Sequence, residues 1–297
     1  MTTSPGIVER LVTLPDRRVL RVEEAGDPQG RPVLTHHGMP GAGHLYGAHA
    51  EDARSRGIRL IAYDRPGYGG STALSGRSIG DCAADVRAIA DALRIERLAV
   101  WGHSGGGPHA LACAALLPDL VVGVASLASG APYGSPDLDY FAGMGQENVD
   151  SIKQALEDEP AARAKLESER QAILAMTADD MAKAFPTLLS PVDAAAQTPE
   201  LTEFIVGCMH DGLASNGEGW WDDGMASLHP WGFSVESIEV PVQLWHGRQD
   251  WFVPFQHGEW LASRIPGVDA HLTSDDGHLT LLQQRVGEVH AWLLERF

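Results

Sequence analysis

Short apolar runs and polar turns alternate along the first part of the chain. Residues 8–14 and 19–24 are strand-like runs on either side of a polar turn at residues 15–18, which is typical of an antiparallel hairpin. Further short apolar runs then alternate with longer segments of helical period, at residues 33–35, 60–63, 98–101 and 121–127. This alternation predicts an α/β fold in which helices flank both faces of a mostly parallel central sheet.

One helix is well marked, at residues 78–93. Ser78 and Asp81 resemble a capping box at its start. The apolar residues that follow recur with a helical period and form one stripe: Ile79, Cys82, Ala83, Val86, Ile89, Ala90 and Leu93. Cys82 is therefore expected on the core face, as a small buried hydrophobe rather than a redox group.

The alternation stops between residues 134 and 233. This region is rich in Ala, Glu, Asp, Gln, Leu and Met, and its periodic apolar positions predict several helices without strands. The earlier rhythm then resumes, with strands expected at residues 242–245 and 270–273 and helices at residues 255–264 and 281–297. We therefore predict one α/β core formed by residues 1–133 and 234–297, interrupted by a helical cap at residues 134–233.

Composition and charge exclude several classes of protein. The chain has 297 residues with 40 Asp or Glu and 22 Lys or Arg, so its formal charge is 22 − 40 = −18. No basic cluster exists that could bind nucleic acid. The uncharged stretch at residues 120–136 contains Gly123, Gly130, Pro132 and Gly134, which favours a buried strand and loop over a membrane span. Neither a nucleic acid nor a membrane is expected as a partner.

The expected compartment is the cytoplasm. Residues 1–16 lack the basic start and apolar block of a secretory signal. The three cysteines, Cys82, Cys113 and Cys208, cannot pair completely, which indicates a reducing environment.

The strongest chemical signal is Gly102-His103-Ser104-Gly105-Gly106, which lies between an expected strand and an Ala-rich helical segment. A G-x-S-x-G sequence in that position is typical of a nucleophile elbow, where flanking glycines allow a tight turn that presents the serine. A phosphate-binding loop is the alternative interpretation. It is disfavoured because no G-K-[ST] sequence follows.

A serine nucleophile needs a base and an acid. Asp250 follows the strand expected at residues 242–245, and His278 follows the strand expected at residues 270–273. The order Ser, Asp, His is the one that a nucleophile elbow of this kind uses. Asp137 or Asp139, after the strand at residues 121–127, is an alternative acid.

The remaining histidines are interpreted as structural or pocket-lining groups, in particular His36, His37, His103 and His246. No H-x-x-x-H or H-E-x-x-H spacing occurs, and the histidines follow different strands. We expect no metal and no cofactor.

Two backbone N–H groups are candidates for an oxyanion hole. Gly105 follows the nucleophile at the start of a helix. Met39 lies in the loop His36-His37-Gly38-Met39-Pro40-Gly41, where Pro40 has no N–H to donate. We expect His37 to order this loop by hydrogen bonding to the backbone. A purely structural turn is the alternative.

These motifs together resemble the α/β-hydrolase superfamily, in its serine-triad esterase or proline iminopeptidase-like branch. The resemblance rests on residues 37–41, 64–71 and 102–106, with Asp250 and His278, and covers nearly the whole chain. It implies Ser104 as nucleophile, His278 as base, Asp250 as acid, and Met39 with Gly105 as oxyanion donors. It also implies that the helical insertion is a cap and that residues 64–71 form a structural turn.

The elbow sequence differs from that of several related families, and these differences exclude or disfavour some activities. Proline iminopeptidases usually carry G-x-S-W-G at the elbow, and Gly105 in place of the tryptophan weighs against peptidase activity. Epoxide hydrolases and haloalkane dehalogenases carry Asp where this chain has Ser104, which argues against both.

The cap is expected to select the substrate. Trp220 and Trp221 either line an apolar pocket or hold the cap on the core. The acidic residues around them either recognise a substrate amine or are exposed, as expected for an acidic chain; they are Glu218, Asp222 and Asp223. Methionines supply adaptable apolar surface, at Met144, Met176, Met181, Met209 and Met225.

The function expected from the sequence is hydrolysis of a small, largely apolar, neutral or cationic carboxylic ester or lactone through an acyl-enzyme. His37, His103, Trp220 and Trp221 are the expected substrate-binding residues. Amide or N-terminal peptide hydrolysis is one alternative. A small-molecule binding protein without turnover is another, and the complete set of Ser104, Asp250 and His278 argues against it.

Overall fold

The computed structural model describes residues 6–184, without the side chain of residue 184, and residues 189–297. Its centre is an eight-stranded sheet with the strand order β1-β2-β4-β3-β5-β6-β7-β8. The strands are β1 (Val8–Thr13), β2 (Val19–Gly26), β3 (Arg31–His36), β4 (Ile58–Tyr63), β5 (Leu98–His103), β6 (Val121–Leu127), β7 (Val242–Gly247) and β8 (Asp269–Thr273). β2 is antiparallel to β1 and β4, and the pairs from β4 to β8 are parallel. The sequence-based fold class is confirmed.

The opening hairpin also forms as expected. Its turn closes through hydrogen bonds from the Leu14 N–H to the Arg18 carbonyl (2.8 Å) and from the Arg17 N–H to the Leu14 carbonyl (2.9 Å). Arg17 adopts a φ of 73°, in the left-handed region that tight turns require.

Helices cover both faces of the sheet. They are α1 (Gly47–Ser55), α2 (Cys82–Leu93), α3 (Gly107–Leu116), α10 (Phe255–Arg264), α11 (His278–Thr280) and α12 (Val286–Leu294). The apolar stripe of α2 packs with α3 and α10 in one buried cluster, and α1 and α12 contribute to a second cluster. Cys82 is buried in the first cluster, as predicted, and all three cysteines are free. The predicted helix at residues 78–93 begins with a 3-10 turn at Ile79–Asp81.

A run of helices separates β6 from β7, where the sequence loses its strand-helix alternation. The described residues of this run form α4 (Gln146–Glu157), α5 (Glu159–Ala175), α6 (Ala178–Ala184), α7 (Pro191–Ala196), α8 (Pro199–Leu213) and α9 (Glu218–Leu228). We refer to α4–α9 as the cap helices.

The end of the chain forms one continuous closing helix at residues 278–294. It begins with α11, passes through a π-helical turn at Leu281–Arg285 and continues as α12. The predicted helix at residues 281–297 therefore starts three residues earlier, at His278.

The uncharged stretch at residues 120–136 forms β6 and the loop after it, as predicted. Within the described part of the chain, no helix has the length and apolar character needed to cross a membrane.

Candidate active site

Ser104 lies in a sharp turn between β5 and α3. Its φ is +55°, which is unusual for a residue with a side chain and is typical of a strained turn that presents a nucleophile. A Cβ atom on Gly102 would collide with the Gly106 carbonyl, and one on Gly106 would collide with the His36 carbonyl. The two glycines of the motif are therefore required by close backbone approaches.

The predicted acid and base contact each other directly. The Nδ1 atom of His278 lies 2.8 Å from Oδ2 of Asp250. Oδ1 of Asp250 accepts hydrogen bonds from the backbone N–H groups of Phe252 and Val253, both at 2.9 Å. Both side chains of the pair are almost completely buried. This arrangement fixes the imidazole with Nδ1 toward the carboxylate, which leaves Nε2 available for proton transfer.

The charges of this pair shift both pKa values. Burial acts to raise the pKa of Asp250, but the neighbouring His278 ring outweighs it and the pKa is lowered. Burial acts to lower the pKa of His278, but the Asp250 carboxylate outweighs it and the pKa is raised. An ionised Asp250 therefore favours the imidazolium form of His278.

The alternative acids do not reach His278. Asp137 forms an ion pair with Arg264 at 3.2 Å, and with Asp139 it lines a separate shallow depression beside α10. Asp250, and neither Asp137 nor Asp139, contacts His278, so the geometry favours Asp250 and its role as the acid stays a prediction.

The loop between β3 and α1 approaches the elbow. An ideal Cβ atom placed on Gly105 would lie 3.2 Å from the backbone nitrogen of Met39, so the two predicted oxyanion donors are neighbours. Gly38 also lies near the elbow, since a Cβ atom there would lie 3.8 Å from Cβ of Ser104.

His37 orders this loop through its ring. Nδ1 lies 2.7 Å from the Gly38 carbonyl oxygen, and Nε2 accepts the backbone N–H of Arg65 at 3.1 Å. Only the neutral ring with a proton on Nδ1 satisfies both contacts. Burial and the nearby Arg65 charge lower the pKa of His37, in agreement with this neutral form.

Arg65 connects the same loop to the cap. Its guanidinium donates hydrogen bonds to the carbonyls of His37 (2.5 Å) and Gly38 (3.2 Å), and to Asp223 of α9 (2.6 Å). Arg77 contacts the other oxygen of Asp223 at 2.6 Å. Burial acts to raise the pKa of Asp223, but the two guanidinium charges outweigh it and the pKa is strongly lowered.

These contacts correct the prediction for the acidic cap residues. Asp222 and Asp223 are buried, and Asp222 lies 3.3 Å from Arg77. Glu218 is exposed and pairs with Arg163 at 3.2 Å. The expected exposure therefore holds for Glu218 and not for Asp222 or Asp223. None of the three lines the cavity beside Ser104, so this geometry gives no support to recognition of a substrate amine there.

The start of the closing helix is held from the cap side. Asp193 of α7 accepts hydrogen bonds from the backbone N–H groups of His278 (2.8 Å), Leu279 (2.7 Å) and Thr280 (3.1 Å). Asp193 is not among the site residues that the sequence predicts. Its local sequence, Ser190-Pro191 followed by a helix, indicates an N-terminal cap but gives no sign of what the carboxylate contacts.

A cavity of about 550 Å³ opens beside Ser104 and His278. Its walls are mainly apolar side chains from both the core and the cap. From the core these are Met39, Leu45, Leu60, Phe252, Leu279 and Leu282, and from the cap Ile173, Met176, Met181, Leu189, Leu201, Phe204, Ile205, Met209 and Trp220. Phe204 is not among the residues that the sequence predicts for this site. Its place on the cavity side of α8 depends on how that helix packs against the core.

Three of the four predicted substrate-binding residues line this cavity, namely His37, His103 and Trp220. Trp221 does not line it; its ring is buried away from the cavity, with the Arg163 guanidinium 4.3 Å from the ring centroid. Nε2 of His103 donates a hydrogen bond to the His278 carbonyl at 2.9 Å. His103 therefore contacts the backbone of the predicted base as well as the cavity.

Among the predicted methionines, three line the cavity, namely Met176, Met181 and Met209. Met144 and Met225 do not line it.

One group of potential metal ligands occurs within the described residues. His36, Cys82 and Cys113 place their ligand atoms within 4.8 Å of one another, and all three side chains are buried. Burial raises the pKa of the Cys82 thiol. Cys82 and Cys113 belong to the hydrophobic core cluster. The expectation of no metal remains a prediction.

Comparison with known proteins places these features in a family. The model of the alpha/beta hydrolase fold family matches residues 31–284. The chain therefore belongs to the alpha/beta hydrolase fold family, and the resemblance found in the sequence is confirmed.

Individual relatives agree with this assignment. The chain is 24% identical over 269 residues to the AB hydrolase superfamily protein YisY of Bacillus subtilis, covering 90% of this chain and 91% of the relative. It is 33% identical over 115 residues to a proline iminopeptidase of Xylella fastidiosa, covering 37% and 36% of the two chains. An esterase from Exiguobacterium antarcticum has a similar fold, with a TM-score of 0.71 and 21% identity over 97% of this chain and 100% of that one.

Proposed function

We propose that this hydrolase cleaves a small, largely apolar carboxylic ester or lactone through an acyl-enzyme on Ser104. The observation that carries the proposal is that Ser104 and the Asp250-bound His278 line the same apolar cavity. A strained serine beside a fixed histidine is the arrangement that nucleophilic acyl transfer requires.

In the acylation step, Nε2 of His278 takes the proton of the Ser104 hydroxyl as Oγ attacks the substrate carbonyl carbon. The carbonyl oxygen becomes negative and is stabilised by the backbone N–H groups of Met39 and Gly105. Asp250 stabilises the imidazolium form of His278. The intermediate then expels the alkoxide, which receives the proton from His278, and Ser104 carries the acyl group as an ester.

In the deacylation step, His278 takes a proton from water and the resulting hydroxide attacks the acyl carbon. The second intermediate collapses, Ser104 Oγ regains its proton from His278, and the carboxylic acid leaves. With a lactone the alcohol and the acid are parts of one product, a hydroxy acid.

The cavity supports a neutral, apolar substrate. Its volume lies within the range of about 300–1,000 Å³ that is usual for small-molecule sites. Its walls are mainly aliphatic, methionine and aromatic side chains, which stabilise an acyl chain by apolar burial. Amide hydrolysis at an N-terminal amine is less well supported, because Arg65 and Arg77 already pair with Asp223.

The test is release of p-nitrophenol from short- and medium-chain acyl esters by the wild type and by Ser104→Ala. We expect turnover by the wild type and a loss of at least about 10³-fold in the variant, since a serine nucleophile acts as a unit with its base. Equal turnover by the two proteins, or a folded wild type inert toward every ester and lactone tried, contradicts the proposal.

A further inference from the structure

Asp193 is a buried acidic residue of α7 whose carboxylate accepts hydrogen bonds from backbone groups of the core. Its side chain is fully buried, and Oδ1 and Oδ2 together accept the first three N–H groups of the closing helix. Its helix α7 is itself capped by Ser190, whose hydroxyl accepts the Asp193 N–H at 3.3 Å.

Burial of a carboxylate is costly unless its oxygens are hydrogen-bonded. The first N–H groups of a helix have no partner within the helix, and the positive end of the helix dipole attracts a negative charge. The Asp193 carboxylate therefore provides acceptors for the first N–H groups of the closing helix, and these N–H groups in turn provide hydrogen bonds for the buried carboxylate. Among the described residues, no cation forms an ion pair with this carboxylate, so these backbone groups are its main compensation.

The core sequence leaves room for this contact. Gly277 precedes the helix and offers no side chain to cap it. A Cβ atom at Gly277 would collide with the Asp193 carboxylate. A helix usually carries its own capping side chain at this position. Here the Asp193 carboxylate takes that place, although Asp193 lies 85 residues before His278 in the sequence.

Three contacts fix His278 from three directions. Asp250 binds the ring at Nδ1, His103 donates to the backbone carbonyl, and Asp193 accepts the backbone N–H. The ring contact fixes the tautomer of His278. The two backbone contacts fix the position of its main chain, and so of the Cα atom that carries the ring.

We infer that Asp193 is a positioning residue for the proposed reaction, holding the backbone of His278 so that the ring meets both Asp250 and the Ser104 hydroxyl. The inference rests on the proposed function for its kinetic consequence. The hydrogen bonds themselves do not depend on the identity of the substrate.

The negative charge of Asp193 also affects His278, because it favours the protonated ring. Burial acts to lower the pKa of His278, and the carboxylates of Asp250 and Asp193 raise it. The other titratable groups that face this pair are His103, with its ring centroid 4.6 Å from that of His278, and His246, which lies 3.8 Å from Asp250. Burial lowers the pKa of both His103 and His246, so both are neutral near pH 7.

The main experiment compares wild type with Asp193→Asn, which keeps the shape of the side chain but removes its charge and one acceptor. We expect kcat to fall about 10- to 100-fold with KM nearly unchanged, because small displacements of a reacting group cost rates of this order. The acid limb of the pH profile of kcat/KM is expected to move to lower pH, because a negative charge that favours the imidazolium is lost.

A matched control separates positioning from general loosening of the cap. Asp158→Ala removes another capping carboxylate of a cap helix, one that is exposed and accepts the Ala161 N–H at 3.2 Å. This control is expected to keep the wild-type kcat and pH profile. Gly277→Ala tests the same contact from the core side, because the added Cβ would displace the Asp193 carboxylate. This variant is expected to lower kcat, as Asp193→Asn does.

A measurement without substrate keeps the inference independent of the proposed function. The pKa of His278 is followed by NMR through its ring nitrogens, assigned by comparison with His278→Gln, and we expect a lower pKa in Asp193→Asn. Wild-type kcat, pH profile and His278 pKa in a folded Asp193→Asn would overturn the inference. Turnover that persists in Ser104→Ala would overturn the proposed function alone.

Discussion

The core and the cap contribute different things to the same site. The core supplies the proposed reacting groups, Ser104, Asp250 and His278, each of which lies beyond the carboxyl end of a strand of the sheet. The cap supplies apolar walls and buried carboxylates that hold core loops, Asp193 at the closing helix and Asp223 at Arg65. The cap helices are therefore part of the framework that holds the candidate site.

The two cap carboxylates hold opposite sides of the site by different means. Asp193 binds backbone N–H groups around the proposed base. Asp223 binds the guanidinium of Arg65, which in turn holds the carbonyls of His37 and Gly38 beside the proposed oxyanion donors. Removing core groups should therefore abolish chemistry, whereas removing cap contacts should misplace or destabilise groups that remain present.

The largest effect is expected for the acid of the core. Asp250→Asn should lower kcat about 10⁴-fold, because an amide in this position favours the wrong tautomer of the histidine. The matched control is Asp137→Asn, at an alternative acid that does not contact His278, which should keep wild-type kcat in a steady-state ester assay. A larger loss at Asp137 than at Asp250 would reverse the assignment.

The next effect concerns the link between Arg65 and the cap. Arg65→Ala should reduce the free energy of unfolding by about 3–5 kcal/mol, because it breaks a buried ion pair and leaves Asp223 incompletely paired. Arg87→Ala breaks an exposed pair with Asp119 and should reduce the free energy of unfolding far less, because solvent screens such a pair. Urea unfolding measures both values, and equal losses would show that the Arg65 contact has no special importance.

The pH dependence reports the charge environment of His278. His278 serves as a base only when neutral, and its pKa is raised because the neighbouring carboxylates outweigh burial. The value of kcat/KM should therefore fall as pH decreases, with a midpoint above the ordinary histidine pKa of 6.5. A midpoint below 6.5 in the wild type would contradict this account of the site.

The smallest effects are expected for the two adjacent tryptophans of α9. Trp220→Ala should raise KM for medium-chain esters about two- to tenfold, since one aromatic contact contributes about 0.5–1.5 kcal/mol. Trp221→Phe should leave KM unchanged and reduce stability by about 1 kcal/mol or less, through a weaker contact with Arg163. If KM responds to Trp221 and not to Trp220, the cavity has been assigned to the wrong face of the helix.

The sequence predicts the core better than the cap because its signals are local. Strands and helices of the core follow from the period of apolar residues. Ser104 is marked by its own flanking glycines, and Asp250 and His278 each follow an apolar run. In a parallel sheet the ends of such runs meet at one edge, so chain order and topology favour Asp250 as the partner of His278. They leave Asp137 and Asp139 open, because both also follow a parallel strand.

The cap contacts depend on packing that no local pattern encodes. Asp193 and His278 are 85 residues apart, and Arg65 and Asp223 are 158 residues apart. Adjacent residues on a helix point about 100° apart, so the choice between Trp220 and Trp221 depends on how α9 is rotated against the core. The net charge suggested exposed acidic residues at Asp222 and Asp223, but buried arginines from distant turns neutralise them.

The central claim is that an acyl group is carried by Ser104, and intact mass measurement of enzyme quenched during turnover tests it most directly. With an ester whose acyl group is released slowly, we expect the mass of the protein to increase by one acyl group. The added mass should lie on the peptide that contains Ser104 and should be absent from Ser104→Ala. Turnover without any acylated protein, or an acyl group attached at another residue, would contradict it.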